Sequence, residues 1–505
     1  MSQSAMSEVM QRVPGSDIVV ACAEAGGGTP LREAMLAGPG AGVMVDDGLL
    51  TGILGWLAGG DAIAAALAES GHVDQRRRVL TGEVTVLAVL GLCLFSREGY
   101  DSVLARVMPR VPGGLGPGVA VPTGSALSQA RARLVGEPLR VLFEASAQVD
   151  QPGPVPGGTA FDLELTAFDG TVADLAATDG IAAQFAVPSG GRYPQARLVT
   201  LVSCGTRRVR AAALGSYATS EQELVDQLTD ALAPGTLNLA DRNFFSMARW
   251  VAFAASGAQL AWRVKNGARS LPAKIVEVLP DGSTLVRLRE SASMLSRRRR
   301  EAGDHTLTRL PDTIARLVEF DLVVADGRGK TRTSRFRILT TLLDHHTYPA
   351  RQVAAVYAQR WQVELAYYRI KITLRGPGVI LRGQTPALAR QEIWGLLIVY
   401  NALCDLATRT AVQLDIDPDQ ISFVAVLRLT RTHLGAGTRC LHCGTPPNHA
   451  GDPVEALTTA IAAHPRNRTG RQRTSPRTKN QRRTEHTRKV SYTINVVASN
   501  LPKDE

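Results

Sequence analysis

Residues 357–371 read YAQRWQVELAYYRIK, a Y-x2-R-x3-E-x6-K pattern made by Tyr357, Arg360, Glu364 and Lys371. At about 100° per residue, the last three fall within about 60° of Tyr357 on a helix of roughly four turns. One carboxylate, two cations and a phenol therefore share a narrow face. A solvated helix scatters its charges; this one aligns them as if to hold metal and phosphate together. Two more carboxylates lie far upstream, Asp169 in Phe168-Asp169-Gly170-Thr171 and Asp241 in Leu239-Ala240-Asp241-Arg242-Asn243-Phe244. The apolar runs before them, Ala160 to Phe168 and Thr236 to Ala240, read as strands. Each Asp is thus expected at the C-terminal end of a strand, where α/β sheets place their sites.

Working outward, Leu198 to Cys204 and Arg208 to Leu214 read as a hairpin around Gly205-Thr206. Ser220-x-x-Glu223 is a capping box opening a helix that runs to about Leu232. Phe244 to Ala255 is predicted helical and Gln259 to Val264 a strand. Three strands, helix, strand, helix, strand describe a mixed α/β sheet. From Lys265 to Asp344 this alternation stops. Ile275 to Leu279 and Thr284 to Leu288 flank the turn Pro280-Asp281-Gly282, and Leu317 to Val323 and Arg335 to Thr341 flank Asp326-Gly327-Arg328-Gly329. Helix is expected again over Arg351 to Thr373, Pro386 to Leu414 and Pro418 to Leu434. Upstream, Asp61 to Ser70, Gly82 to Phe95, Ser125 to Leu134 and Pro138 to Val149 read as helices. The organisation expected is a flexible segment (1–48), a helical domain (49–150), a Pro/Gly linker (151–158), and the first part of an α/β core (159–264). A β-rich insertion (265–345), the second part of the core (346–440) and a disordered basic tail (441–505) complete it.

The net charge of +11 hints at an anionic partner. Much of it sits between Arg466 and Lys489, where ten Lys and Arg accompany one acid, Glu485. The body is close to neutral, so any basic surface there must come from arrangement. The longest apolar run, Val84 to Phe95, is shorter than the ~18–20 residues of a membrane span. No basic start precedes an apolar run at the N-terminus, and the six cysteines are sparse; both fit a cytoplasmic, nucleoid-associated protein.

Two Asp on adjacent strands and a Glu on a packing helix can hold two Mg²⁺ ions, which prefer hard oxygen ligands, with Mn²⁺ able to substitute. Two such ions activate a water or a 3′-hydroxyl and stabilise the leaving oxygen of a phosphodiester. Arg360 suits bidentate phosphate binding, Lys371 adds a point charge, and Tyr357 suits donation to phosphate or stacking on a base. Each motif alone has an ordinary reading. Asp-Gly-Thr is common in turns, Asp241 suits a helix cap, and Glu364 with Arg360 is a frequent i,i+4 pair. Their order and placement together favour the catalytic reading.

At these residues the chain resembles the insertion-sequence-four family of DDE transposases. All four positions of the family's Y-x2-R-x3-E-x6-K helix match, and Asp169 and Asp241 match its first two catalytic carboxylates. Similarity extends over about residues 49–434, with Asn243 standing where the family often has Gly. The resemblance implies an RNase H-like core interrupted by a β-strand insertion, Asp169, Asp241 and Glu364 as metal-binding catalytic residues, and a homodimer that synapses transposon-end DNA. It also implies DNA-end binding by the helical domain 49–150 and cut-and-paste transfer of 3′-hydroxyl ends into target DNA. The alternatives are a two-metal nuclease of the same fold and a catalytically silent DNA-binding protein derived from a transposase. Outside the core, the basic tail is expected to touch DNA non-specifically. Cys440-Leu-His-Cys443 has the spacing of half a zinc site, with His433, His442 and His449 as the candidates to complete it. Trp262, Trp394, Trp361 and Tyr368 are expected in the core.

Overall fold

The computed structural model describes residues 60–72, 74, 79–108, 120–147, 155–267, 271–325, 331–435, 453–464 and 491–503. Among the described residues, five helices come first: α1 (Gly60–Glu69), α2 (Gly82–Leu94), α3 (Tyr100–Val107), α4 (Gly124–Leu134) and α5 (Glu137–Ala147). Thr81 caps α2 by accepting from the Val84 N–H, and every residue from Val84 to Leu94 is buried. A helix apolar on all sides must be wrapped by others.

The sheet begins with β1 (Thr159–Ala160) and β2 (Leu163–Asp174), followed by the short helix α6 (Asp179–Phe185). Then come β3 (Gln195–Ser203), β4 (Val209–Ser216), α7 (Glu221–Asp226), β5 (Thr236–Ala240), α8 (Met247–Ala254) and β6 (Gln259–Arg263). Spatially these strands run β4-β3-β2-β5-β6, the first three antiparallel and the last two parallel to β2. The capping box at Ser220 is formed in full, with both reciprocal bonds.

The segment expected as an insertion extends this same sheet. Strands β7 (Ala273–Val278) and β8 (Thr284–Leu288), helix α9 (Ala292–Ala302), and strands β9 (Thr313–Ala325) and β10 (Thr331–Thr340) continue it in the order β6-β10-β9-β8-β7. Arg297 to Arg300 lie on α9, which the sequence pattern had not suggested because the helix buries no side chain.

The chain then forms α10 (Ala350–Tyr357), a 3₁₀ turn (Ala358–Trp361), α11 (Gln362–Tyr368) and a π-helical turn (Arg369–Leu374). The single regular helix expected over Arg351 to Thr373 is therefore one continuous rod with two non-α turns in it. Helix α12 (Pro386–Gln413) follows, capped by Thr385 with Pro386 in its first turn. It runs through the N-terminal helices. At Gly395 an added Cβ would lie 3.0 Å from the Cys93 sulfur and 3.3 Å from Val89, so glycine permits the close approach of α12 to α2. Gln391 accepts from Arg131 on α4 (2.8 Å), and Asn401 brackets the Val209 N–H and carbonyl on β4 (2.8 and 2.9 Å). The N-terminal helices and the sheet thus share one core.

Helices α13 (Phe423–Gly435) and α14 (Pro453–Ala462) and strand β11 (Ser491–Val496) complete the described elements. Here the expectation of a disordered stretch from 441 to 505 needs correction. Leu457 and Ile461 of α14 are fully buried, and β11 pairs with Phe320–Ala325 of β9. The basic run had masked short apolar patterns on either side of it. Residues 1–48, the linker residues 151–154, Cys440, His442, Cys443, His449 and the basic run 466–489 lie outside the described residues. Among those described, no helix is long and apolar enough to cross a membrane. Trp262, Trp361 and Trp394 are buried, whereas Tyr368, at the end of α11, is 57% exposed and not in the core.

Candidate active site

Period-two alternation aims the two aspartates the same way. On β2, Leu165 and Ala167 face the core that contains Val363 and Ala366 of α11, and Asp169 follows on that face. On β5, Leu237 and Leu239 face the same core, and Asp241 follows. Ala167 and Leu239 are register partners. Asp169 and Asp241 are therefore each two residues beyond a paired position. The intervening Phe168 and Ala240 point into the opposite core, where Phe168 packs edge-on against Phe253 at 5.6 Å.

Strand β2 does not end at Asp169, as the pattern suggested, because its antiparallel partner β3 carries it on to Asp174. Its parallel partner β5 pairs only as far as Ala167. The carboxylates stand where that parallel pairing has run out.

Arg360 lies between them. It is 1% exposed. Its Nη2 donates to Glu364 Oε1 (3.2 Å), and its Nη1 sits 3.6 Å from Asp169 Oδ2. Burial works against its charge, but Asp169, Tyr357, Asp241 and Glu364 together hold its pKa above the usual arginine value. Among the described residues, its buried Nε and Nη1 have no hydrogen-bond partner. Burial, together with the Glu364 and Glu221 carboxylates, pushes Asp169 up to about 6; Arg360 and the Gly170 N–H oppose the rise. Asp241 accepts from the Arg242 N–H (2.8 Å) and lies 3.6 Å from Arg263.

The three side chains expected to touch DNA are all engaged with the protein. Tyr357, 2% exposed, donates its hydroxyl to the Ala240 carbonyl (3.2 Å), the residue before Asp241. No face of its ring is open to a base. Lys371 is carried by the π-helical turn and donates to the Val172 carbonyl (2.8 Å) and Thr171 Oγ1 (3.2 Å). Burial and then Arg375 lower its pKa. Two residues escaped the sequence reading. Tyr367 donates to the Asp169 carbonyl (2.5 Å) and bonds Thr200 Oγ1 (2.8 Å); its place three residues after Glu364 was the available signal. Glu221, beside Asp169, occupies a first-turn position where any helix favours an acid, so its residue type carried no signal.

The donors suit a hard divalent cation. All three are carboxylates, with side chains 23% (Asp169), 28% (Asp241) and 16% (Glu364) exposed. Among the described residues no three such groups are gathered closely enough to hold an ion; the Arg360 guanidinium stands among them.

Residues 52–144 match the N-terminal domain of insertion element 4 transposases, and residues 160–402 match the transposase DDE domain. Transposase InsG for insertion sequence element IS4 of Escherichia coli (strain K12) is 29% identical over 387 residues, 74% of this chain and 82% of that protein. The chain belongs to the insertion-sequence-four family of DDE transposases. Its class is accordingly that of a DNA-cleaving transposase. The β4-β3-β2-β5-β6 order with helices on both faces is the RNase H-like sheet of the DDE transposase domain. The chain also has a likeness, at TM-score 0.39 and 11% identity, to a piggyBac transposase in a cryo-EM synaptic complex with hairpin DNA, covering 84% of this chain and 86% of that one.

Proposed function

We propose that this transposase cuts DNA at the ends of its own insertion element and joins the freed 3′-hydroxyls to target DNA, with Asp169, Asp241 and Glu364 as its catalytic carboxylates. The observation that carries the reading is the shared register of Asp169 and Asp241, with Glu364 tied to Asp169 through Arg360. Divalent ions, Mg²⁺ with Mn²⁺ as a substitute, would be held by these three side chains. When bound they would supply an activated oxygen nucleophile and charge neutralisation at the scissile phosphate.

The remaining residues hold this arrangement. Tyr357 fixes the end of β5 from behind, Tyr367 fixes the Asp169 backbone, and Lys371 clamps β2 just past Gly170. Arg360 balances the carboxylates. Its Nε and Nη1, which make no hydrogen bond among the described residues, are the donors it would offer to a phosphate oxygen. The N-terminal helices are proposed to read the element ends, and two copies to bring the ends together.

A supercoiled plasmid carrying the gene's native flanks, incubated with Mg²⁺ and either wild type or Glu364→Ala, tests the reading. Excised linear DNA with wild type alone is expected. Band shift without cleavage in both Mg²⁺ and Mn²⁺ would instead assign the chain to silent DNA-binding proteins.

A further inference from the structure

Glu221 opens α7 directly after the capping residue Ser220, and helix capping alone would explain an acid there. Its side chain does more than that. Oε2 accepts from Asn243 Nδ2 (2.9 Å), two residues past Asp241, while the neighbouring Gln222 donates to the Asn243 carbonyl (3.0 Å). The same carboxylate lies over Gly170, next to Asp169. A Cβ added at Gly170 would sit 2.4 Å from Oε1 and 2.5 Å from Cδ, so any side chain there would displace the Glu221 carboxylate. Arg197 on β3 forms an ion pair with Oε1 at 3.6 Å.

Glu221 therefore bridges the strand bearing Asp169 and the loop bearing Asp241. A neutral amide oxygen would accept from Asn243 equally well. A carboxylate adds negative charge beside Asp169, which disfavours the metal-free state and favours a bound cation.

We infer that Glu221 is a positioning residue of the catalytic centre, which sets the Asp169–Asp241 separation and strengthens the hold on a divalent cation. The inference rests on the reading of Asp169, Asp241 and Glu364 as cation ligands. It also gives Asn243 a role, as the donor that orients Glu221.

The test is Mn²⁺ binding to the full-length, DNA-free protein by titration calorimetry, with the Mg²⁺ requirement for plasmid cleavage alongside. Glu221→Gln keeps the size and the acceptor for Asn243 but loses the charge. It should weaken Mn²⁺ binding about 5-fold, as expected for losing one nearby charge in a partly wet site, and raise the half-saturating Mg²⁺ concentration in parallel. Asn243→Ala leaves the charge in place and should lower the cleavage rate more than the Mn²⁺ affinity. Wild-type Mn²⁺ affinity in Glu221→Gln overturns the inference. Glu364→Gln is the control: if it binds Mn²⁺ and cleaves like wild type, the failure lies in the three-carboxylate reading and not in Glu221.

Discussion

Replacing Asp169 with asparagine should stabilise the metal-free protein while ending cleavage. Burial raises the Asp169 carboxyl from 3.8 to about 6, helped by Glu364 and Glu221. A carboxyl whose folded value lies above its unfolded value costs stability when it ionises. That cost is absent below about pH 3.8 and complete above about pH 6. Two pH units correspond to about 3 kcal/mol. Water reaching a side chain that is 23% exposed reduces this, and about 1–2 kcal/mol is the working figure. Asparagine keeps the oxygen that accepts from the Gly170 N–H (2.9 Å) and never ionises. In EDTA at pH 8, the variant should melt about 2–4 °C above wild type, the shift expected for a domain of a few hundred residues. The gain should fall to about half near pH 5. Added Mg²⁺ should raise the wild-type Tm and move the variant less. Differential scanning fluorimetry across pH 5–8, with and without Mg²⁺, reads all of this. A variant that melts below wild type in EDTA at pH 8, or a difference that ignores pH, would refute the reasoning.

Tyr357→Phe leaves the buried Ala240 carbonyl without its hydroxyl donor. Thermal melts should show about 1 kcal/mol of destabilisation, cleavage should slow, and DNA affinity by fluorescence anisotropy should stay unchanged. Lys371→Met removes the bonds to Val172 and Thr171. Cleavage should drop while the slope of log affinity against log salt stays constant; a loss of about one unit would show instead a direct phosphate contact. Replacing residues 466–489 with a Gly/Ser linker should flatten that slope by several units with no change in melting. Truncation after residue 465 should also lower the Tm, because it removes β11.

The sheet was legible because its strands alternate cleanly and its turns carry Gly and Asp at the required places; β5 and both later hairpins fall where the pattern put them. The pairing of β2 past Asp169 was not legible, since it is imposed by β3, a partner distant in sequence. A uniform 100° count placed Tyr357, Arg360, Glu364 and Lys371 on one face. It could not show the 3₁₀ and π turns, which tertiary packing selects. The charged groups of that face read as if aimed at solvent and DNA, whereas Tyr357 and Arg360 are buried beneath the carboxylates. Glu221 was hidden because any helix favours an acid in its first turn, and only its contacts with Asn243 and the space over Gly170 reveal what else it touches.

The pairing of β11 with β9 bears on how the protein is made. Ser491 faces Ala325, so this ladder closes a loop of roughly 170 residues, a slow and entropically costly contact. All three carboxylates leave the ribosome before that strand exists. Until then the Phe320–Ala325 edge of β9 presents bare backbone donors and acceptors, a template for the wrong chain as readily as for the right one. Prematurely terminated copies should therefore be lost to aggregation, and not persist as partial nucleases.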